Sequence, residues 1–273
     1  MRRDGILYPY IHIGPVTLGT YGLLVATALL VAFFVLRADF RRRKMSIDAE
    51  TVIGVTGLAG LIGARLYHLL ESPKAFFANP WPLLFSTMGF AWFGSVIAGF
   101  IVLVLLARHY RVPVLLMLDC ASPAAAIGYG VGRIGCLISG DGDYGVPTSL
   151  PWGMSFPNGI VPTTQRVHPT PIYEFLVAIL IFWILWQIGA ATIAGRRSPG
   201  RVFGLYLVLT GIARFLVEFI RLNPRSFFGL TNAQAASIAC VLVGMSILIY
   251  LHKTSRLAPK GDVGAPAKST PSP

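Results

Sequence analysis

Four arginines, Arg65, Arg133, Arg214 and Arg221, lie inside or at the margins of stretches apolar enough to cross a bilayer. A guanidinium keeps its charge, and translocon scales put it at roughly 2.5–3.5 kcal/mol at the bilayer centre, so several together imply a protein-lined polar cavity or an anionic ligand. In Arg214-Phe-Leu-Val-Glu218 two opposite charges stand four residues apart on one helical face, and Arg221 extends the stripe. Two readings stand at this level. One is an ion pair that lowers the cost of insertion; the other is a carboxylate that orients a guanidinium toward a phosphate, which suits arginine's planar fork.

Other residues with chemical capacity gather near the same helix ends. The run from Gly128 to Gly145 is dense in glycine and contains Gly140-Asp141-Gly142-Asp143. Glycine at this density lets backbone approach backbone or ligand. Gly128 and Gly132 form a small-xxx-small pair suited to helix packing, which does not account for the Gly-Asp-Gly-Asp run. Asp141 or Asp143 could serve as a general base or bind a cation, and both are also ordinary turn residues. Further on, His168-Pro-Thr-Pro171-Ile-Tyr173-Glu174 brings a histidine, a tyrosine and a carboxylate to a helix entry, where His168 is either an acid-base group or a headgroup anchor. Tyr21, Trp92 and Trp152 fit an aromatic belt. Arg65 follows Gly60-Leu-Ile-Gly63-Ala64, whose small residues allow close helix approach, and His68 reads as structural.

These residues must be held by membrane helices. The chain of 273 residues is 55% hydrophobic and only 12% charged, outside the range of a soluble domain. Seven stretches are long enough to span hydrocarbon: Val16 to Leu36, Thr51 to Leu70, Met88 to Ala107, Val114 to Ile138, Pro171 to Ala194, Val202 to Leu222 and Ala233 to Leu251. Lysines and arginines crowd alternate loops, fourteen against five, placing the N-terminus outside and the C-terminus in the cytoplasm. All four arginines then fall toward the outer leaflet. The bias also accounts for much of the net charge of +12, so no nucleic-acid partner is implied.

Cys120, Cys136 and Cys240 are odd in number and widely spaced within spans, which indicates neither a disulfide framework nor a zinc site. Met1 to Gly14 lacks an apolar core of its own and does not read as a signal peptide. The expectation is an all-α membrane protein of seven transmembrane helices, with one membrane domain over 1–257 and a disordered cytoplasmic tail over 258–273.

Together, Gly60-Leu-Ile-Gly63-Ala64-Arg65, Gly132-Arg133-Ile134-Gly135, Tyr144-Gly145, His168-Pro169 with Tyr173-Glu174, and Gly211-Ile-Ala-Arg214-Phe-Leu-Val-Glu218-Phe-Ile-Arg221 resemble the bacterial prolipoprotein diacylglyceryl transferases, in order, from about Tyr21 to Arg221. The resemblance implies a multi-pass enzyme of the bacterial inner membrane. It would move the diacylglyceryl group of phosphatidylglycerol onto the lipobox cysteine of a prolipoprotein signal peptide and release glycerol phosphate, with no metal or organic cofactor. It implies catalytic roles for Arg133, Arg214 and Glu218, the last orienting Arg214. Tyr21, Arg65, Gly145, Tyr173, Glu174 and Arg221 would line the substrate pocket.

The chain departs from the family pattern in two places. Cys136, Leu137, Ser139 and Asp141 replace the residues that usually follow Arg-Ile-Gly, and the stretch to Gly145 is one residue longer. Span three reads Trp92-Phe93-Gly94-Ser95 where the family carries a histidine before two glycines. Phe93 accepts no proton, so either another residue such as His168 or Asp141 serves as the base or deprotonation needs no dedicated base. A paralogue with another acceptor and a non-catalytic lipid binder or transporter are the alternatives.

Overall fold

The computed structural model describes residues 8–71, 73–78, 80–84, 91–194, 198–226 and 228–257. Residues 1–7 of the first segment, the start of span three at Met88 and the tail from Ala258 to Pro273 lie outside the described residues.

Among the described residues, seven helices are long and apolar enough to cross a membrane. They are α1 (Thr20–Arg42), α2 (Ala49–Glu71), α5 (Trp92–His109), α6 (Val114–Ser139), α7 (Thr170–Ile193), α8 (Arg201–Val217) and α9 (Asn232–Leu257), with short helices α3 (Pro73–Ala78) and α4 (Pro80–Leu84) between α2 and α5. At 1.5 Å per residue the 23 residues of α1 cover about 35 Å, enough for a hydrocarbon core of about 30 Å. Large apolar side chains such as Leu58, Leu61, Phe100, Leu180 and Trp183 remain exposed on these helices. That is the expected outcome where the surrounding solvent is lipid, because burying them gains nothing there.

The helices pack as α1 on α6, α2 on α5, α6 on α7, and α8 on α6, α7 and α9. Small residues set the crossings. Gly128 of α6 lies against Ala28 and Ala32 of α1, and Gly130 against Ala178 of α7, so one glycine-rich helix accepts two neighbours at once. Gly132 has no atom within 4 Å of where a Cβ would stand, so the Gly128–Gly132 pair does not act as one packing face. Gly63 and Gly94 meet at the α2–α5 crossing, and Phe93 beside it packs on Trp92 and Tyr67, with ring centroids 5.3 and 6.3 Å apart.

Three features differ from the sequence expectation. The chain is not all helical: β1 (Tyr10–Ile13) and β2 (Val16–Gly19) form a hairpin, as do β3 (Met154–Phe156) and β4 (Thr163–Val167). Val16–Gly19, expected in span one, therefore belongs to a strand, and α1 starts at Thr20, whose N–H reaches the Pro9 carbonyl at 3.0 Å. Span six stops short of Leu222: α8 ends at Val217, tightens to a 3₁₀ turn over Glu218–Ile220, and Arg221 is extended.

The segment from Ser139 to Thr170 is a folded cap. Leu137, Tyr144, Phe156 and Val167 form its small core, with the Tyr144 and Phe156 rings stacked at 5.2 Å. Arg166 donates to the carbonyls of Leu150, Pro151 and Gly153, closing the loop before β3. Gly145 pairs with Arg221, and Val146 N–H donates to the Ile220 carbonyl at 2.8 Å, which ties the cap to the end of α8.

Candidate functional site

The end of α6, the start of α7 and the end of α8 meet beneath this cap, and each supplies charge. Arg133 sits in the last two turns of α6, Glu174 in the first two turns of α7, and Arg214, Glu218 and Arg221 follow one face of α8 and its 3₁₀ extension. Because α8 stops helical winding after Val217, Arg221 turns back toward the cap. Asp143 enters from the loop after α6, where Gly140 and Gly142 take left-handed φ values of +59° and +93° that ordinary side chains resist.

Three guanidiniums and three carboxylates form one network. Glu174 is its centre, with a side chain only 5% exposed: Arg214 Nη1 lies 3.0 Å and Arg133 Nε 3.6 Å from its Oε1, and Arg221 Nη1 3.4 Å from its Oε2. The Tyr129 hydroxyl donates to the same Oε1, and the Arg133 guanidinium stands over the Tyr129 ring, 4.9 Å from its centroid. Glu218 takes Arg214 Nη2 at 2.9 Å and Arg221 Nε at 3.8 Å, while Asn223 donates to its other oxygen at 2.5 Å. Asp143 bridges Arg133 and Arg221, one oxygen to each.

Charge in the network balances, and its carboxylates differ in freedom. Glu174 and Glu218 are buried on helices, whereas Asp143 is 29% exposed on a loop. Burial alone would raise the Asp143 carboxyl, but the Arg133 and Arg221 guanidiniums outweigh it and hold it at about 2. Two residues back, Asp141 accepts the Asp143 N–H at 3.2 Å. Its carboxyl is raised, first by burial and then by the charge of Asp143.

A sequence model of the prolipoprotein diacylglyceryl transferase family matches residues 9–250. The chain belongs to that family. The phosphatidylglycerol–prolipoprotein diacylglyceryl transferase of Clostridium tetani is 32% identical over 231 residues, covering 83% of this chain and 90% of the relative. Proteins of the same name from Nostoc and Bordetella parapertussis are 28% identical over 268 residues and 32% identical over 256. These cover 95% and 88% of this chain, and 94% and 93% of the relatives.

Against the residues that the family pattern singles out, the structure draws Arg133, Arg214, Arg221, Glu174 and Glu218 into one network. Gly145 lies against it because a Cβ there would run into the Ile220 carbonyl and come within 3.0 Å of His168 Cβ and Thr170 Cγ2. Tyr21, at the start of α1, packs on α6: a Cβ at Gly135 would stand 3.4 Å from its ring. His168 and Tyr173 form a separate pair, Nδ1 to hydroxyl at 3.3 Å, and Trp152 Nε1 donates to that hydroxyl at 2.8 Å. Arg65 is buried on α2, on the helix pair with α5, and is not one of the three arginines that share these carboxylates.

Sequence reasoning passed over Tyr129 and Asn223 and left Asp143 without a role in the arginine cluster. Tyr129 carried a readable signal, lying four residues before Arg133 on one helix. Asn223 and Asp143 carried none, because both meet their partners through loops. The ligand atoms of Cys136, Asp141 and Asp143 lie within 4.8 Å of one another. Asp143 is already committed to two guanidiniums there, and Arg133 Nη1 stands 3.7 Å from Cys136 Sγ, so a dication would meet positive charge.

Proposed function

We propose that the chain transfers the diacylglyceryl group of phosphatidylglycerol to the lipobox cysteine thiol of prolipoproteins, at the outer leaflet of a bacterial inner membrane. The observation that carries this reading is the meeting of Arg133, Arg214 and Arg221 around Glu174, with the loop-borne Asp143 between Arg133 and Arg221, at one end of the bundle in a chain of this family. The thiolate sulfur bonds to the glyceryl carbon, the bond from that carbon to the phosphate oxygen breaks, and glycerol phosphate leaves. The phosphodiester carries one negative charge and the departing monoester carries a second. Donors aimed at that oxygen therefore bind more tightly as the bond breaks, which is the condition for accelerating the step.

The balanced network supports a specific entry of substrate. Asp143 stands between Arg133 and Arg221 as two phosphate oxygens would, and it is the carboxylate on a glycine-hinged loop. The phosphate displaces Asp143, while Glu174 and Glu218 keep the guanidiniums aimed. Asp141, with its raised carboxyl, takes the thiol proton in place of the histidine absent at Phe93. His168, bonded to Tyr173 at 3.3 Å, orders the pocket mouth together with Trp152. Tyr21 and Gly145 shape the wall; Arg65 acts through the α2–α5 packing.

The test incubates purified protein in phosphatidylglycerol vesicles with a lipobox peptide. Thioether peptide and glycerol phosphate are expected in equal amounts, and absence of both products from folded protein overturns the reading. Arg133→Ala and Arg214→Ala are each expected to lower turnover by about 10²–10³, the usual loss when one donor to a developing oxyanion is removed.

A further inference from the structure

At the opposite end of the bundle, where α1, α7 and α9 finish and α6 and α8 begin, a second group of charges lies outside the chemistry above. Asp39 is fully buried near the end of α1 and receives Nε of both Arg42 and Arg43, the latter at 2.7 Å. Asp119 of α6 is equally buried but accepts the Gly200 and Phe203 N–H groups at 2.7 and 2.8 Å, closing the first turn of α8. Arg42 lies over the Trp186 ring, 3.7 Å from its centroid, and donates from Nη1 to the Trp186 carbonyl at 3.0 Å.

One carboxylate thus serves two guanidiniums through their Nε atoms, and the Nη2 of each is left over. Both Nη2 atoms are buried with no acceptor among the described residues, and the Arg43 side chain is only 5% exposed. Buried donors normally have partners, and a charged donor is the costliest to leave without one. Gly189 of α7 makes the room: a Cβ there would overlap Arg42 Nη2 and stand 3.3 Å from Arg43 Nη2. Arg43 also lines a cavity of about 200 Å³, together with Met45, Leu116, Thr192, Ile193 and Pro199. Its charged lining residue is Arg43, and most of the remainder is apolar.

We propose that this cavity is a second anion site, which binds a phosphate group through Arg43 and rests an apolar remainder against Met45, Leu116 and Ile193. The planar guanidinium matches phosphate oxygens, and the apolar wall favours a lipid headgroup over the free ion. The site is separate from the network beneath the cap and does not depend on the proposed transfer.

The experiment uses the full chain in phosphatidylcholine nanodiscs with short-chain phosphatidate as probe, bound lipid being counted by native mass spectrometry. It is run in an Arg133→Ala background, which removes one of the two guanidiniums that the phosphate would bridge beneath the cap. Arg133→Ala protein is expected to hold a phosphatidate that the Arg133→Ala/Arg43→Gln double variant binds about tenfold more weakly, as loss of a charge-assisted contact requires. Equal binding by folded Arg43→Gln protein overturns the proposal. If that variant does not fold, Leu116→Trp fills the cavity and leaves the Asp39 pairs intact; undiminished binding there also overturns it. A competing arm with inorganic phosphate separates the sources: displacement of phosphatidate shows that the phosphate alone suffices, and persistence shows a lipid-specific site.

Discussion

Asp143 shows how much one loop carboxylate can decide. It neutralises Arg133 and Arg221 together, so the resting site holds no net positive charge among its six charged side chains. Replacing it by asparagine keeps the shape and removes the competing charge. Asp143→Asn is expected to lower the apparent KM for phosphatidylglycerol by several-fold and to lower Tm, because two buried guanidiniums lose a partner; a higher KM at unchanged Tm would remove its role as a displaceable stand-in. Asp141 makes a separate prediction through pH. Its carboxyl lies above the ordinary 3.8, so the folded protein holds that proton more tightly than the unfolded chain, and ionising Asp141 costs stability as pH rises from 3.8 through the folded value. The ionised form is the one that accepts a proton. Asp141→Asn is therefore expected to abolish the acid limb of the rate profile and to be slightly more stable than the parent at neutral pH, read by kcat against pH and by thermal unfolding.

At the scale of elements, the cap and the end of α8 hold the site together. Gly145 allows the cap backbone to lie on Ile220 and pair with Arg221, and no side chain fits there. Gly145→Ala is expected to cost about 1–3 kcal/mol, the usual range for forcing atoms into a packed site, and to reduce activity with it. Gly132→Ala is the control, since its Cβ meets no atom within 4 Å on the same helix as Arg133; Tm and activity should hold. The premature end of α8 has the same importance. A continued helix would carry Arg221 onward along the axis, whereas the 3₁₀ turn and extended residue return it to Asp143 and Glu174.

Over the whole molecule, the two charged groups occupy opposite ends of one bundle, which gives the proposed topology a direct check. Asn158, in the cap, and Lys44, after α1, are both exposed on opposite ends. In intact spheroplasts a membrane-impermeant thiol reagent is expected to label Asn158→Cys and to spare Lys44→Cys until the membrane is opened. The reverse pattern would invert the orientation and put the proposed transfer on the wrong leaflet.

The seven spans and the family were legible in order along the chain, because hydrocarbon demands long apolar helices and the spacing of Arg214, Glu218 and Arg221 is a property of one segment. What lay beyond reach depends on residues far apart in sequence meeting through loops. Glu174 became the centre of the network, Asp143 the shared partner of two arginines, and Arg43 a cavity-lining residue with a buried donor left over. A helix repeats its geometry every 3.6 residues and so announces its faces locally. Which faces meet, and whether their charges cancel, is set by helix crossings, a left-handed glycine loop and a 3₁₀ ending, and those exist only once the chain has folded.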